Sequence, residues 1–243
     1  MKDFDPKLDE PSNYVQAFYK AKLEREENWM FTEDQLIASV SSLFIAGTDS
    51  TATTLRWAIF YLAHNPDWQE KLYAEIRSQT SGSMPTYADR TTMPLMVATI
   101  METQRTADLL PLGVMRRTLV ESKLYGYDIP KDAVVVPLLT AVFRDPKVYP
   151  NPDKFDPTRF VNAQKDGGKS EEVTRLIPFM LGKRVCLGEP LARMELFIFL
   201  SALISNFKFV FSSDEPIPPI DDVRVSLSRA PPKFKLCAIP RSG

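Results

Sequence analysis

Apolar residues recur at helical spacing over residues 14–27 (YVQAFYKAKLEREE), with charge gathering at the end, and this pattern predicts an amphipathic helix. Thr32 and Gln35 form a capping-box pair at the head of a long periodic run, LIASVSSLFIAGTDSTATTLRWAIFYLAHN, which Asn65 and Pro66 stop. A helix over about 33–63 would be roughly 45 Å long, which is unusual in a globular domain. A third helix is expected over 66–78, with Pro66 in its first turn, and a fourth from near Pro94 through MVATIMETQRT. Over 113–142 the texture changes to short β-branched runs (VMRRTLV, KLYGYDI, AVVVPLL) separated by turn residues. They predict a small sheet, and Pro130 and Pro137 favour edge strands. Residues 144–178 show almost no periodicity and are expected to form a long ordered loop. Helical spacing returns over 187–207, broken only by Pro190, and 208–240 reads as a β-hairpin plus a loop. The fold class expected is mainly α with small β-sheets.

Composition removes several function classes. The chain has 243 residues, 44% hydrophobic and 25% charged, which suits a globular protein able to bury a core and argues against disorder. Thirty basic and 31 acidic residues give a formal charge of −1, so nothing calls for nucleic acid or an anionic membrane surface. The only cysteines are Cys186 and Cys237, which excludes a disulfide-stapled secreted module and favours a reducing compartment. With one histidine, His64, neither a multi-histidine zinc site nor a two-histidine iron site can be built. No run of 18 or more uncharged apolar residues is present, so no membrane span is expected, and residues 1–13 do not read as a signal peptide.

Three clusters could carry chemistry. Cys186 lies between Gly182 and Gly188, two residues after Arg184, at the start of a helix. Backbone N–H groups and the positive end of the helix dipole favour a thiolate there. The glycines would let the backbone pass close to something flat and bulky, and Arg184 could hold a carboxylate. A buried structural cysteine is the plainer alternative. Glu102 and Arg105 share a helix face, either as a solvated pair or, given their apolar surroundings, as a buried network that Arg159 could join. Gly47, Asp49, Ser50 and Thr51 interrupt the apolar centre of the long helix, making room either for a ligand and proton relay or for a packed neighbour. His64 is expected to partner the dipole at that helix's C-terminus.

Four stretches, taken in order, resemble the cytochrome P450 family. FMLGKRVCLG is similar to the haem-thiolate loop, ETQR to the E-x-x-R pair, DPTRF to the segment that completes its network, and AGTDS to the oxygen-activation segment of the central helix. The resemblance implies the C-terminal portion of that fold: long central helix, E-x-x-R helix, small sheet, meander loop, cysteine-ligand loop and following helix. Residues 1–243 would be a single partial domain, without the N-terminal half of the fold and its membrane anchor. It also implies haem as cofactor, with Cys186 as axial iron ligand and Arg184 and Arg116 holding the propionates. Phe179, Gly182 and Gly188 would shape the cofactor loop, and Glu102, Arg105 and Arg159 would form the structural network. Asp49 and Ser50 would deliver protons, Ala46, Leu110, Val114 and Leu227 would line the substrate pocket, and Lys183 would face an NADPH-dependent flavoprotein reductase. Ser50 stands where the family usually has threonine, and Met180 where it has a small residue.

The function implied is a haem-thiolate monooxygenase that takes electrons from the reductase and inserts one atom of O2 into a small lipophilic substrate, a xenobiotic, steroid or organic acid. The complete enzyme would sit on the endoplasmic reticulum membrane. The alternative is a truncated, inactive fragment with impaired haem binding. A cysteine hydrolase is remote, because His64 is the only available base.

Overall fold

A computed structural model describes residues 5–6, 9–25, 28–165, 170–225 and 228–241. The chain divides into two compact units, Met1–Asp49 and Ser50–Gly243. In the first, Asn13 caps helix α1 (Tyr14–Glu24) by accepting the Gln16 N–H at 3.0 Å. The helix is shorter than the periodic stretch because Arg25 turns extended. Phe18 is buried against Phe31, with ring centroids 5.1 Å apart. Thr32 Oγ1 accepts the Gln35 N–H at 3.2 Å and starts α2 (Glu33–His64). Its first half leaves Phe44 and Ile45 about 70% exposed, and α2 continues without a break through Gly47.

The second unit is built around the remaining half of α2. Trp57, Phe60 and Leu62 are fully buried with Leu72 and Ile76 of α3 (Pro66–Thr80), Met96 of α4 (Pro94–Ala107), and Leu200 and Ile204 of α8 (Glu189–Asn206). A second cluster joins Ala98 and Met101 to Leu139, Phe143, Tyr149 and Phe160. Between these two clusters α4 is buried from Ala98 to Ala107. A neighbouring helix caps its N-terminus: the Glu75 carboxylate accepts the N–H groups of Leu95 and Met96, both at 2.8 Å. That contact satisfies two of the four backbone donors a helix start leaves open.

The expected small sheet is two separate antiparallel ladders. Strand β1 (Arg116–Arg117) pairs with β4 (Val134–Val135), and β2 (Ser122–Leu124) with β3 (Tyr127–Ile129). Tyr125 and Gly126, both at positive φ, make the tight turn between β2 and β3. Residues 139–143 then form a short helix, α5 (Leu139–Phe143). The expectation of an unbroken loop over 144–178 is corrected: it contains α6 (Thr158–Lys165) and α7 (Glu171–Arg175). Each is too short to register as periodicity and is marked only by its cap. Asp156 Oδ1 accepts the Thr158 N–H, and Ser170 Oγ accepts the Val173 N–H.

Helix α8 leads directly into β5 (Phe207–Phe211), which pairs antiparallel with β8 (Leu236–Pro240). The predicted hairpin is thus a long-range pairing, and a second pair, β6 (Arg224–Val225) with β7 (Arg229–Ala230), lies between its strands. His64 is also corrected. Its ring packs edge-on against Phe60 and Phe211, at 4.7 and 4.6 Å, and burial lowers its pKa against an opposing hydrogen bond to the Pro218 carbonyl. A neutral imidazole wedged between aromatics replaces the expected charged partner of the helix dipole.

Candidate functional site

The cysteine loop closes on itself before α8 begins. The Cys186 N–H donates to the Phe179 carbonyl at 2.9 Å, and the Val185 N–H to the Gly182 carbonyl at 3.0 Å. Met180 (φ +66°) and Gly182 (φ +80°) make the reversals that this closure needs, and open space lies beside the Gly182 Cα. Gly188 lies beside the thiol, where a Cβ would make an ordinary contact with Cys186 Sγ at 3.9 Å. Cys186 is a free, exposed thiol with exposed Leu181, Val185 and Leu187 around it. It lies three residues before the first turn of α8, whose backbone donors point back toward the loop. Phe179 is held under the Arg193 guanidinium at 5.1 Å.

Two arginines far apart in sequence meet at this loop. Arg116 Nη2 donates to the Arg184 carbonyl at 3.3 Å, drawing β1 against the 3-10 turn Gly182–Arg184 that also presents Lys183. The approach is fixed further back by Gly113 (φ +55°). A Cβ at that position would stand 2.8 Å from Pro137 Cγ and 3.1 Å from Met180 Sδ. The bulk of Met180 under the loop is therefore accommodated by the missing side chain of Gly113.

Behind the loop, Glu102 and Arg105 form a fully buried two-pronged pair, Nε to Oε2 at 2.7 Å and Nη2 to Oε1 at 2.8 Å. Arg105 also donates to the carbonyls of Phe143 (2.9 Å) and Lys154 (3.3 Å), and Glu102 accepts the Asp156 N–H at 2.9 Å. Arg159 joins as an ion partner, its Nε 3.4 Å from Glu102 Oε1, while its Nη2 donates to the Asn151 carbonyl. Burial raises the Glu102 carboxyl above its ordinary pKa, and the Arg105 guanidinium pulls it back. The three residues grouped from sequence are thus together, buried rather than solvated. The backbone groups of Phe143, Lys154 and Asp156, invisible to motif reading, complete the network.

A small cleft of about 60 Å³, open to solvent, lies among Ser50, Gln104, Leu110, Leu139, Phe179 and Ala192. Two of the residues expected in the substrate and proton pathway, Ser50 and Leu110, line it. Ala46 and Asp49 are exposed members of the first unit, and Val114 is half exposed on the segment before β1. Leu227 lies outside the described residues. Sequence reading passed over Gln104, whose buried Oε1 has no hydrogen-bond partner among the described residues, and Asp108, a fully buried acid at the end of α4. The only signal for Asp108 was an acid in an otherwise apolar stretch, TADLLPLG.

The donor set suits haem. A soft, free thiol stands on a glycine-flanked loop with apolar neighbours in sequence, and two guanidiniums on adjoining segments can take two carboxylates.

Comparison with known proteins agrees with this chemistry. The sequence model of the cytochrome P450 family matches residues 1–238. Cytochrome P450 2J3 of Rattus norvegicus is 41% identical over 248 residues, covering 99% of this chain. Cytochrome P450 2J2 of Homo sapiens is 39% identical over 99% of the chain, and cytochrome P450 2H1 of Gallus gallus 38% over 95%. In each case the match covers 47% of the relative, so the chain spans about half the length of these proteins. Family members carry haem on a cysteine thiolate, and the match extends over nearly every element described above: this chain belongs to the cytochrome P450 family.

Proposed function

We propose that this chain provides the cofactor-holding half of a haem-thiolate monooxygenase. The observation that carries the reading is the convergence of Cys186, Arg184 and Arg116 on one loop, with Arg116 bonded to the Arg184 carbonyl. Cys186 holds the iron, and Arg184 and Arg116 hold the propionates. Haem ligated in this way supplies activation of molecular oxygen and insertion of one oxygen atom into a substrate. The protein's part is binding and proton handling. The Glu102–Arg105–Arg159 network fixes α4 against the segment leading to the cysteine loop, so the thiol is presented without reorganisation. Ser50 places a hydroxyl on the cleft that can pass a proton inward, and Asp49, exposed beside it in sequence, connects to solvent. Leu110 and Leu139 give the cleft an apolar wall against which part of a small lipophilic substrate would pack. Lys183, exposed beside Arg184, contributes positive charge for an NADPH-dependent flavoprotein reductase. The complete enzyme acts on the endoplasmic reticulum membrane.

The test is the carbon monoxide difference spectrum of the reduced 243-residue chain after addition of haemin. A Soret band at the red-shifted thiolate position is expected, lost in Cys186→Ser and retained in Cys237→Ser. Arg116→Ala and Arg184→Ala should weaken haemin binding without moving the band. Binding without the thiolate band, or a band indifferent to Cys186→Ser, overturns the assignment.

A further inference from the structure

Asp108 is the one carboxylate of the second unit that is fully buried away from the Glu102 network among the described residues, and motif reading gave it no role. It ends α4 in the left-handed region (φ 46°, ψ 59°), its N–H donating to the Gln104 carbonyl at 3.2 Å. That turn aims its side chain across the chain rather than along the helix. Oδ2 accepts the Thr140 hydroxyl and Arg229 Nη1, the latter at 3.3 Å. Oδ1 is buried with no partner among the described residues.

The two donors belong to segments that are tied again by backbone bonds on either side. Thr140 N–H donates to the Pro111 carbonyl at 3.3 Å and Arg229 N–H to the Leu109 carbonyl at 2.8 Å, while the Arg229 carbonyl accepts Trp57 Nε1 at 3.0 Å. One carboxylate therefore gathers the end of α4, the start of α5, β7 and the buried half of α2. The residues flanking these ties, Leu109, Leu110 and Leu139, are lining residues of the cleft. A buried carboxyl shared with the Arg229 guanidinium is well suited to this, because a bond to a charged group is stronger than a neutral one and losing it leaves buried polar atoms without partners.

We propose that Asp108 is a positioning residue of the cleft: shared between Thr140 and Arg229, its carboxylate sets the wall made by Leu109, Leu110 and Leu139 in register with α2. It touches no reacting atom. As far as the wall serves the cofactor and substrate, the inference rests on the function proposed above. The wall's dependence on Asp108 does not.

The experiment compares the 243-residue chain with Asp108→Asn, Thr140→Val and the Asp108→Asn/Arg229→Gln double variant by amide hydrogen exchange resolved to short peptides. Haemin titration follows the Soret band in parallel. Asp108→Asn is expected to speed exchange about tenfold or more in peptides over 108–112, 139–143 and 228–232, with 95–101 and 207–211 unchanged. Thr140→Val, which removes one hydroxyl, gives a smaller rise in the same peptides, and the double variant partly restores protection by pairing two amides. The haemin dissociation constant rises in the same order. Exchange that rises everywhere together, or nowhere, overturns the proposal, as does a lowered melting temperature with haemin affinity unchanged. Should the unaltered chain give no thiolate band, the function proposed above falls and the exchange pattern alone decides the role of Asp108.

Discussion

Gln69 is a fully buried glutamine whose carboxamide is used at both ends. Its Nε2 donates to the carbonyls of Leu62 and Phe209, both at 2.8 Å, and its Oε1 accepts the Phe209 N–H at 2.9 Å. The N–H and C=O of one strand residue point to the same side, so Phe209 presents both away from its partner strand β8. The side chain thus takes the place of a missing strand along the free edge of β5. Replacing it with leucine keeps the volume and removes every bond. The Leu62 carbonyl still receives the Asn65 N–H at 3.2 Å, so two groups of Phe209 are orphaned. At about 1–3 kcal/mol for each buried orphan, less a small gain from burying leucine, Gln69→Leu should lower stability by about 2–5 kcal/mol.

Gln69→Glu gives the same argument a pH handle. A carboxylate keeps the Phe209 N–H but faces two carbonyls and is buried, so its pKa in the folded state should rise above the unfolded value of about 4.3. The folded form then binds the proton more tightly, and stability relative to the unaltered chain falls as pH rises from about 4.3 through the raised value. Urea unfolding with linear extrapolation, at pH 4 and pH 7, measures both effects. A Gln69→Leu change within about 0.5 kcal/mol of zero, or a Gln69→Glu deficit equal at the two pH values, refutes the reasoning.

Three further outcomes follow from the same geometry. Arg105→Met leaves the Glu102 carboxylate buried beside Arg159 alone and should destabilise by about 3–5 kcal/mol; in a double-variant cycle with Glu102→Leu, the pair together should cost clearly less than the sum. Gly113→Ala meets both a positive φ and the Pro137 ring, so its melting temperature should fall by about 3–10 °C, and a fall below 1 °C counts against the close approach. Because burial holds the folded-state pKa of His64 below its ordinary 6.5, the unfolded chain binds the proton more readily, and stability is lost as pH falls through 6.5. Melting curves from pH 8 to 5 should therefore slope less for His64→Gln than for the unaltered chain.

The long helix, the E-x-x-R helix and the cysteine loop were legible because their signals are local. Periodicity over many turns and glycines beside a lone cysteine can be read without knowing what lies across the fold. The short helices α6 and α7 failed for the converse reason: with five to eight residues, only their caps could speak. The candidate site divides in the same way. Glu102 and Arg105 announce each other three residues apart, but what makes the pair tolerable in the interior comes from carbonyls and an N–H 38, 49 and 54 positions away.

Asp108 and Gln69 sharpen the point. Each is a polar residue in an apolar or helical setting with one partner more than 100 residues downstream, Arg229 for one and Phe209 for the other. Neither residue belongs to a motif. A polar side chain in such a setting must find partners if it is buried, so its presence signals a long-range tie without naming the other end. Gln69 holds the strand that continues α8, the helix that begins three residues after Cys186, and Asp108 holds the wall facing the cleft that Phe179 lines from the cysteine loop. The motif supplies the thiol, and the isolated buried polar residues tie together the elements that its own local sequence cannot reach.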